Sequence, residues 1–380
     1  MIYRICLRSR ALRWKTVAGF VIATVLVGGA VACGAAGSLT QAASTGRSSG
    51  GSRASLAAVT CAGEASCWGV GQVEQEASRP ANTVAVIVRW GGKSWIAARS
   101  PHLAAPSALY GVACNKTSSC WAVGSAGGAT VIEHWNGGKW SVATSPHAFG
   151  GEMLASIACA SVSSCWAVGE SQQGGAPPLI IEEWNGKTWD RVKSPHVAAP
   201  SSLGQVTCSV RSYCWAVGVT PIKSWPYGVL MMRWNGRGWT LFGRPEIRGL
   251  LQSVNCASEN SCWAVGVDPS DTAPIIAERW DGSVWTRVGV PNTGPKGDLL
   301  SVSCTSKLNC WAVGTEGSRV LTERWGGTSW SVVASPSPTA DSGLTSVVCT
   351  IAGNCWAVGA DRNGELIEHW NGSDWVVTDG

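Results

Sequence analysis

Ser164-Cys165-Trp166-Ala167-Val168-Gly169 decides the fold, because the chain contains seven versions of it. The others sit at Cys67-Trp68, Cys120-Trp121, Cys214-Trp215, Cys262-Trp263, Cys310-Trp311 and Cys355-Trp356. Ala-Val-Gly follows each pair, except that the first reads Gly69-Val70-Gly71. Six positions upstream of each lies another cysteine: Cys61, Cys114, Cys159, Cys208, Cys256, Cys304 and Cys349. Successive units start 53, 45, 49, 48, 48 and 45 residues apart. A period in the forties repeated seven times is the signature of a propeller or a linear array.

Working outward, each unit opens with Leu-x-x-Val-x-Cys, as in Leu203-Gly204-Gln205-Val206-Thr207-Cys208, with Ile157 standing in for Val once. After Cys-Trp-Ala-Val-Gly comes a connection of variable length, then an apolar run ending in tryptophan, such as Leu366-Ile367-Glu368-His369-Trp370. Asn-Gly follows that tryptophan four times, Asp281-Gly282 once and Gly-Gly twice, and a second tryptophan always lies five residues after the first. Six residues later stands a proline, from Pro101 and Pro146 through Pro195, Pro245 and Pro291 to Pro336. Four short β-rich runs per unit, separated by turn chemistry and without a 3.6-residue period, predict four antiparallel strands, a to d. Asn-Gly between apolar runs is a strong hairpin signal, because both residues tolerate positive φ. The expected fold is all-β: a seven-bladed β-propeller over residues 54–380, with blade 1 packing on blade 7 and no strand exchanged.

The cysteine spacing predicts one disulfide per blade: 61–67, 114–120, 159–165, 208–214, 256–262, 304–310 and 349–355. Zinc is the rival reading of regular cysteines, but zinc ribbons use two close pairs on one ion, whereas these pairs sit in separate repeats. Disulfides in turn imply an oxidising compartment. Residues 1–33 agree with export. Arg4, Arg8, Arg10, Arg13 and Lys15 precede an uncharged, mostly apolar run from Val17 to Ala32, which is shorter than the about 20 residues of a membrane span. Ala30-Val31-Ala32-Cys33 resembles a bacterial lipobox, so Cys33 is the lipidation candidate. Lipid anchoring at Cys33, free secretion and an uncleaved anchor all stay open. Cys6 has no assigned role. Residues 34–53, rich in Gly, Ser, Ala and Thr, read as a flexible tether.

Net charge is +5, but the five leader cations account for it, leaving 24 basic and 24 acidic residues beyond them. Nucleic-acid binding wants a basic stripe on the folded part, and this balance supplies none. The order of runs, Cys-Trp-Ala-Val-Gly in the second strand and Trp-Asn-Gly-x-x-Trp with its later proline, resembles the blades of kelch-type and BNR-type propellers. The resemblance implies the fold, within a group of secreted bacterial propellers, and no activity.

Residues with chemical promise are repeated or isolated. Glu133, Glu182, Glu278, Glu323 and Glu368 recur two residues before the strand-c tryptophan. Five-fold repetition points to a structural role, with an indole N–H or a neighbouring Arg279 or Arg324 as partner. His102, His147 and His196 follow prolines in three successive blades, too dispersed to share an ion. A sialidase-like site would need a tyrosine nucleophile and an arginine cluster, and no such cluster can be assigned. No cofactor or metal is expected.

The a–b and c–d turns share one face of such a propeller and never change length. The b–c connections share the other and vary, with 19, 11, 15, 16, 14, 11 and 11 residues from glycine to tryptophan. Variable loops carry function. In the fourth unit Pro221-Ile222-Lys223-Ser224-Trp225-Pro226-Tyr227 holds the one tryptophan after the leader that lies outside the repeat positions. Trp225 and Tyr227 are therefore the leading ligand-binding candidates, with Glu74, Glu76 and Arg79 in the longest connection as weaker ones. The expected function is a non-enzymatic binding or scaffolding module, a monomer engaging a glycan or protein partner at the cell surface. It would meet a membrane only through its leader or a lipid anchor. A glycoside hydrolase or lyase on the same scaffold is the alternative.

Overall fold

The computed structural model describes residues 52–378, apart from residues 76–81, 147–149, 172–177, 224, 244–246, 269–273 and 292–296. It is a ring of seven four-stranded antiparallel sheets, and each sheet keeps strands a, b, c and d in sequence order. Blade 1 comprises Ser52–Gly63, Ser66–Gln75, Asn82–Trp90 and Trp95–Ala98; blade 7 ends with Trp375–Val377. Strand a of blade 1 thus takes in two residues of the stretch read as tether.

All seven expected disulfides are present: Cys61–Cys67, Cys114–Cys120, Cys159–Cys165, Cys208–Cys214, Cys256–Cys262, Cys304–Cys310 and Cys349–Cys355. Each joins directly opposed residues of strands a and b, so it closes a hairpin that the backbone already forms. Seven such bonds suit an oxidising environment.

The strand-b glycine has a steric cause. In every blade strand a gains an unpaired residue after its leucine, as at Gly204 between Leu203↔Gly218 and Gln205↔Val217. This β-bulge bends strand a and presses its backbone onto strand b. A Cβ on Gly218 would lie 2.0 Å from the Ser202 carbonyl oxygen, and the seven equivalent glycines all meet a carbonyl at 1.9–2.1 Å. Only glycine fits.

Tryptophan joins the blades. The strand-b indole of each blade packs between the strand-c and strand-d indoles of the next. Trp166, for example, lies 4.6 Å from Trp234 and 5.3 Å from Trp239, edge-on to the latter at 87°. The ring closes with the same triad, since Trp356 of blade 7 meets Trp90 and Trp95 of blade 1 at 4.6 and 5.2 Å. Where the residue before the strand-c tryptophan is His or Arg, it packs on these indoles. His134 lies 4.1 Å from Trp121, and the Arg324 guanidinium 5.6 Å from Trp311.

A second inter-blade seam runs along the strands nearest the axis. Val206 N–H donates to Ser156 Oγ of the preceding blade, Val254 to Gln205, Val302 to Ser253 and Val347 to Ser301. Val59 closes this series on Ser346 at 3.2 Å, and Thr345 Oγ1 donates to the Leu56 carbonyl at 2.8 Å. Ala58 and Gly111 occupy the acceptor position in blades 1 and 2 and offer no side-chain acceptor.

Asn-Gly turns the c–d hairpin as expected, in a loop of four residues between paired Trp135↔Trp140. The loop is closed by Asn136 N–H to the Lys139 carbonyl. Gly137 alone takes positive φ, at 94°. Asn136 instead turns its Oδ1 back to accept the N–H groups of Gly138 and Lys139.

Candidate functional site

The two faces of the ring differ in how they are fastened. On the a–b and c–d face, the disulfide and the strand-c indole act together. Trp135 Nε1 donates to the Thr117 carbonyl inside the Cys114–Cys120 turn, and Trp184, Trp280 and Trp325 do the same in their own blades. The opposite face carries the b–c and d–a connections, where the lengths vary.

In blade 4 the variable connection is a hairpin rather than an irregular loop. Strands Tyr213–Ile222 and Trp225–Trp234 stay paired out to Ile222↔Trp225, longer than in most blades. Strand c is further tied to the following connection through Val229 N–H to the Ile247 carbonyl and a bridge from Gly228 to Arg248. The backbone of Trp225 and Tyr227 thus lies in strand c; their side chains lie outside the described residues. In blade 1 Glu74 is half-buried in strand b, opposite Arg53 and Thr83. Glu76 and Arg79 lie outside the described residues, as do Cys6 and Cys33.

Three of the recurrent glutamates are inter-blade struts. Glu133 accepts from Ser100 Oγ at 2.9 Å, Glu182 from Ser145 Oγ at 3.0 Å, and Glu368 from Ser335 Oγ. Each serine precedes the proline of the previous blade's d–a connection, so this bond anchors the connection to the next strand c. For these three the hydrogen-bond donor is serine, not an indole N–H. Neighbouring residues of a strand point to opposite faces, so Arg279 and Arg324 turn toward indoles while Glu278 and Glu323 turn away. Burial raises Glu133, Glu182, Glu323 and Glu368 to about 7, and nearby Glu152 adds to the rise at Glu182. Glu323 faces a connection with Val290 where those three have serine, and neither of its oxygens has a partner among the described residues.

Four further acids, Glu152, Glu170, Asp268 and Asp298, are buried near the strand ends on the variable face, and two of them are strongly perturbed. Burial lifts Glu170 of blade 3 to about 8 and Asp298 of blade 6 to about 7. A glycosidase pair needs two carboxyls about 5–9.5 Å apart. These two belong to opposite sides of the ring and cannot flank one bond. His102 and His196 are exposed, and His147 lies outside the described residues. No group of His, Cys, Asp or Glu that could hold a metal occurs among the described residues.

Sequence reasoning missed the axial chamber, a cavity of about 330 Å³ lined by strand a of all seven blades. The bulge residues face it: Tyr110, Gln252, Leu300 and Thr345, with Ala57, Ala155 and Gly204 leaving room between them. The bulge was the missing signal, since the unpaired residue occupies the variable first x of Leu-x-x-Val.

No protein-family model matches the chain, and no curated protein matches it significantly. Solved structures do. The chain is similar to a GH74 xyloglucanase from Xanthomonas campestris at 14% identity and TM-score 0.59, over 89% of this chain but 56% of that one. It is also similar to the SapL1 lectin in complex with alpha methyl fucoside, at 15% identity and TM-score 0.51 over 72% and 95% of the two chains. YCF48 bound to D1 peptide matches at 14% identity and TM-score 0.50, over 71% and 80%. At such identities the likeness establishes the fold that this chain shares with a lectin, a peptide binder and an enzyme.

Proposed function

We propose that this chain is a non-enzymatic binding or scaffolding module of the cell exterior or envelope, which engages a glycan or protein partner through its variable face. One observation carries the reading. All length variation, and the extended blade 4 hairpin bearing Trp225 and Tyr227, falls on the face that the disulfides and indole hydrogen bonds leave free. Two aromatics beside Pro221 and Pro226 supply stacking area at little entropic cost. Lectin and peptide-binding propellers of similar fold support a binding role for the module. The test is a glycan array and candidate surface proteins screened against the parent and Trp225→Ala. The variant is expected to lose at least about 1 kcal/mol of affinity with an unchanged Tm. Undiminished affinity would move the site elsewhere.

The second reading, a glycan-cleaving enzyme, draws on the buried, raised carboxyl of Glu170 and on the xyloglucanase-like fold. Turnover of any polysaccharide, abolished by Glu170→Gln, would establish it. For localisation, Cys33 is the proposed lipid attachment point on a monomeric protein. Metabolic fatty-acid labelling that persists in Cys33→Ala would refute it.

A further inference from the structure

The axial chamber has a chemistry of its own. Among the residues lining it there is no Lys, Arg, Asp, Glu or His. Its polar side chains are hydroxyls and amides, and part of that capacity is already spent on the inter-blade seam: Ser156, Gln205, Ser301 and Ser346 each accept a valine N–H. Other groups remain available. The Tyr110 hydroxyl and the Gln252 amide make no hydrogen bond among the described residues, and Asn255 uses only its Oδ1, toward Cys304 N–H. Tyr110 and Gln252 are both bulge residues, so they stand at the same level of the channel. They belong to blades 2 and 5, almost opposite one another across a ring of seven. Between them the small Ala57, Ala155 and Gly204 keep the chamber open.

We infer that this chamber is a binding site for a small neutral polyhydroxylated ligand, a single sugar ring or a sugar alcohol. Size permits it: about 330 Å³ falls at the lower end of the ~300–1,000 Å³ of ligand pockets. Charge selects it. An ionic ligand would be desolvated without a counter-charge, a cost that hydroxyls and amides do not offset. A polyol loses nothing of the kind, since each hydroxyl both donates and accepts, as the lining groups do. The Tyr110 ring adds an apolar face for the C–H side of a sugar, opposite the two-way hydrogen bonding of Gln252. Strand a runs from the variable face to the disulfide-closed turn, and the bulge lies in its first half, so the ligand enters from the variable face. The site is separate from the blade 4 hairpin, and either can exist without the other.

Isothermal titration and saturation-transfer NMR on the full mature protein would test this with glucose, galactose, mannose, mannitol and glucuronate as probes. At least one neutral probe is expected to bind, with glucuronate at least tenfold weaker. Tyr110→Ala and Gln252→Leu should each weaken the neutral probe about tenfold, while Trp225→Ala leaves it unchanged. Ala155→Phe, which fills the chamber, should abolish binding. Should Tyr110→Ala not fold, Gln252→Leu and the charge preference still decide. No binding of any neutral probe at tens of millimolar overturns the inference. So does equal affinity for glucuronate, or binding indifferent to both Gln252→Leu and Ala155→Phe.

Discussion

The glycine that ends Cys-Trp-Ala-Val-Gly is set by close approach, not by φ. Gly218 has a carbonyl oxygen 2.0 Å from where a Cβ would stand, and that atom is backbone on a bulged strand that cannot retreat. Gly218→Ala should therefore cost about 1–3 kcal/mol or more in urea denaturation. Gly238→Ala, with no atom within 4 Å of its added Cβ, should stay within about 0.5 kcal/mol. Equal effects at the two positions would remove the steric explanation. At the inter-blade seam, Ser253 Oγ is buried and accepts Val302 N–H at 3.0 Å. Ser253→Ala leaves that N–H unsatisfied and should cost about 1–3 kcal/mol by the same measurement. None of this could be read from the serine itself, because Ser253 looks like any polar residue in an a-strand. Its role depends on a neighbour 49 positions away.

At the scale of the element, the blade was legible because its parts are local. Cysteines six apart face each other across a tight hairpin, and tryptophans five apart pair at the ends of strands c and d. The bulge was not legible, because Leu-x-x-Val permits either a regular strand or an extra residue, and the choice falls to the sheet. Asn-Gly marked the c–d hairpin but not the length of its loop. Asn136 satisfies two N–H groups with its own side chain, and a longer loop then costs no unpaired donors. The glutamate struts were foreseen as structural, but their serine partners lie in the preceding blade. The hairpin disulfide is a modest contributor. Replacing Cys256 and Cys262 by serine together should cost only ~2 kcal/mol, the loop-closure value for so short a ring. A much larger loss in urea denaturation would mean that the bridge holds more than its own hairpin.

For the whole molecule, the buried acids set a pH dependence. Glu133, Glu182, Glu323 and Glu368 rise on burial from 4.5 to about 7, and Glu170 to about 8. The native state then binds more protons than the unfolded chain across this range, so stability falls as pH rises. The stabilisation is fully present below about 4.5 and is lost through about 7 to 8. Tm should be higher at pH 5 than at pH 8.5. Glu323→Gln, which removes a carboxyl with no partner among the described residues, should raise Tm at pH 8.5 and change it little at pH 5. A Tm that climbs with pH would contradict the burial of these groups.

Site legibility stops at this scale too. The variable face was visible as loop-length variation, whereas the axial chamber exists only once seven strands meet.

Everything proposed here rests on a closed ring in which seven equivalent indole seams hold the blades. The seam between blades 7 and 1 is the decisive one, since an open array would leave Trp356 without Trp90 and Trp95. Urea denaturation of Trp356→Ala beside Trp263→Ala, an interior seam, tests it. In a closed ring both variants lose about 3–5 kcal/mol in a single transition. A loss below about 1 kcal/mol for Trp356→Ala, with Trp263→Ala still severe, would contradict closure.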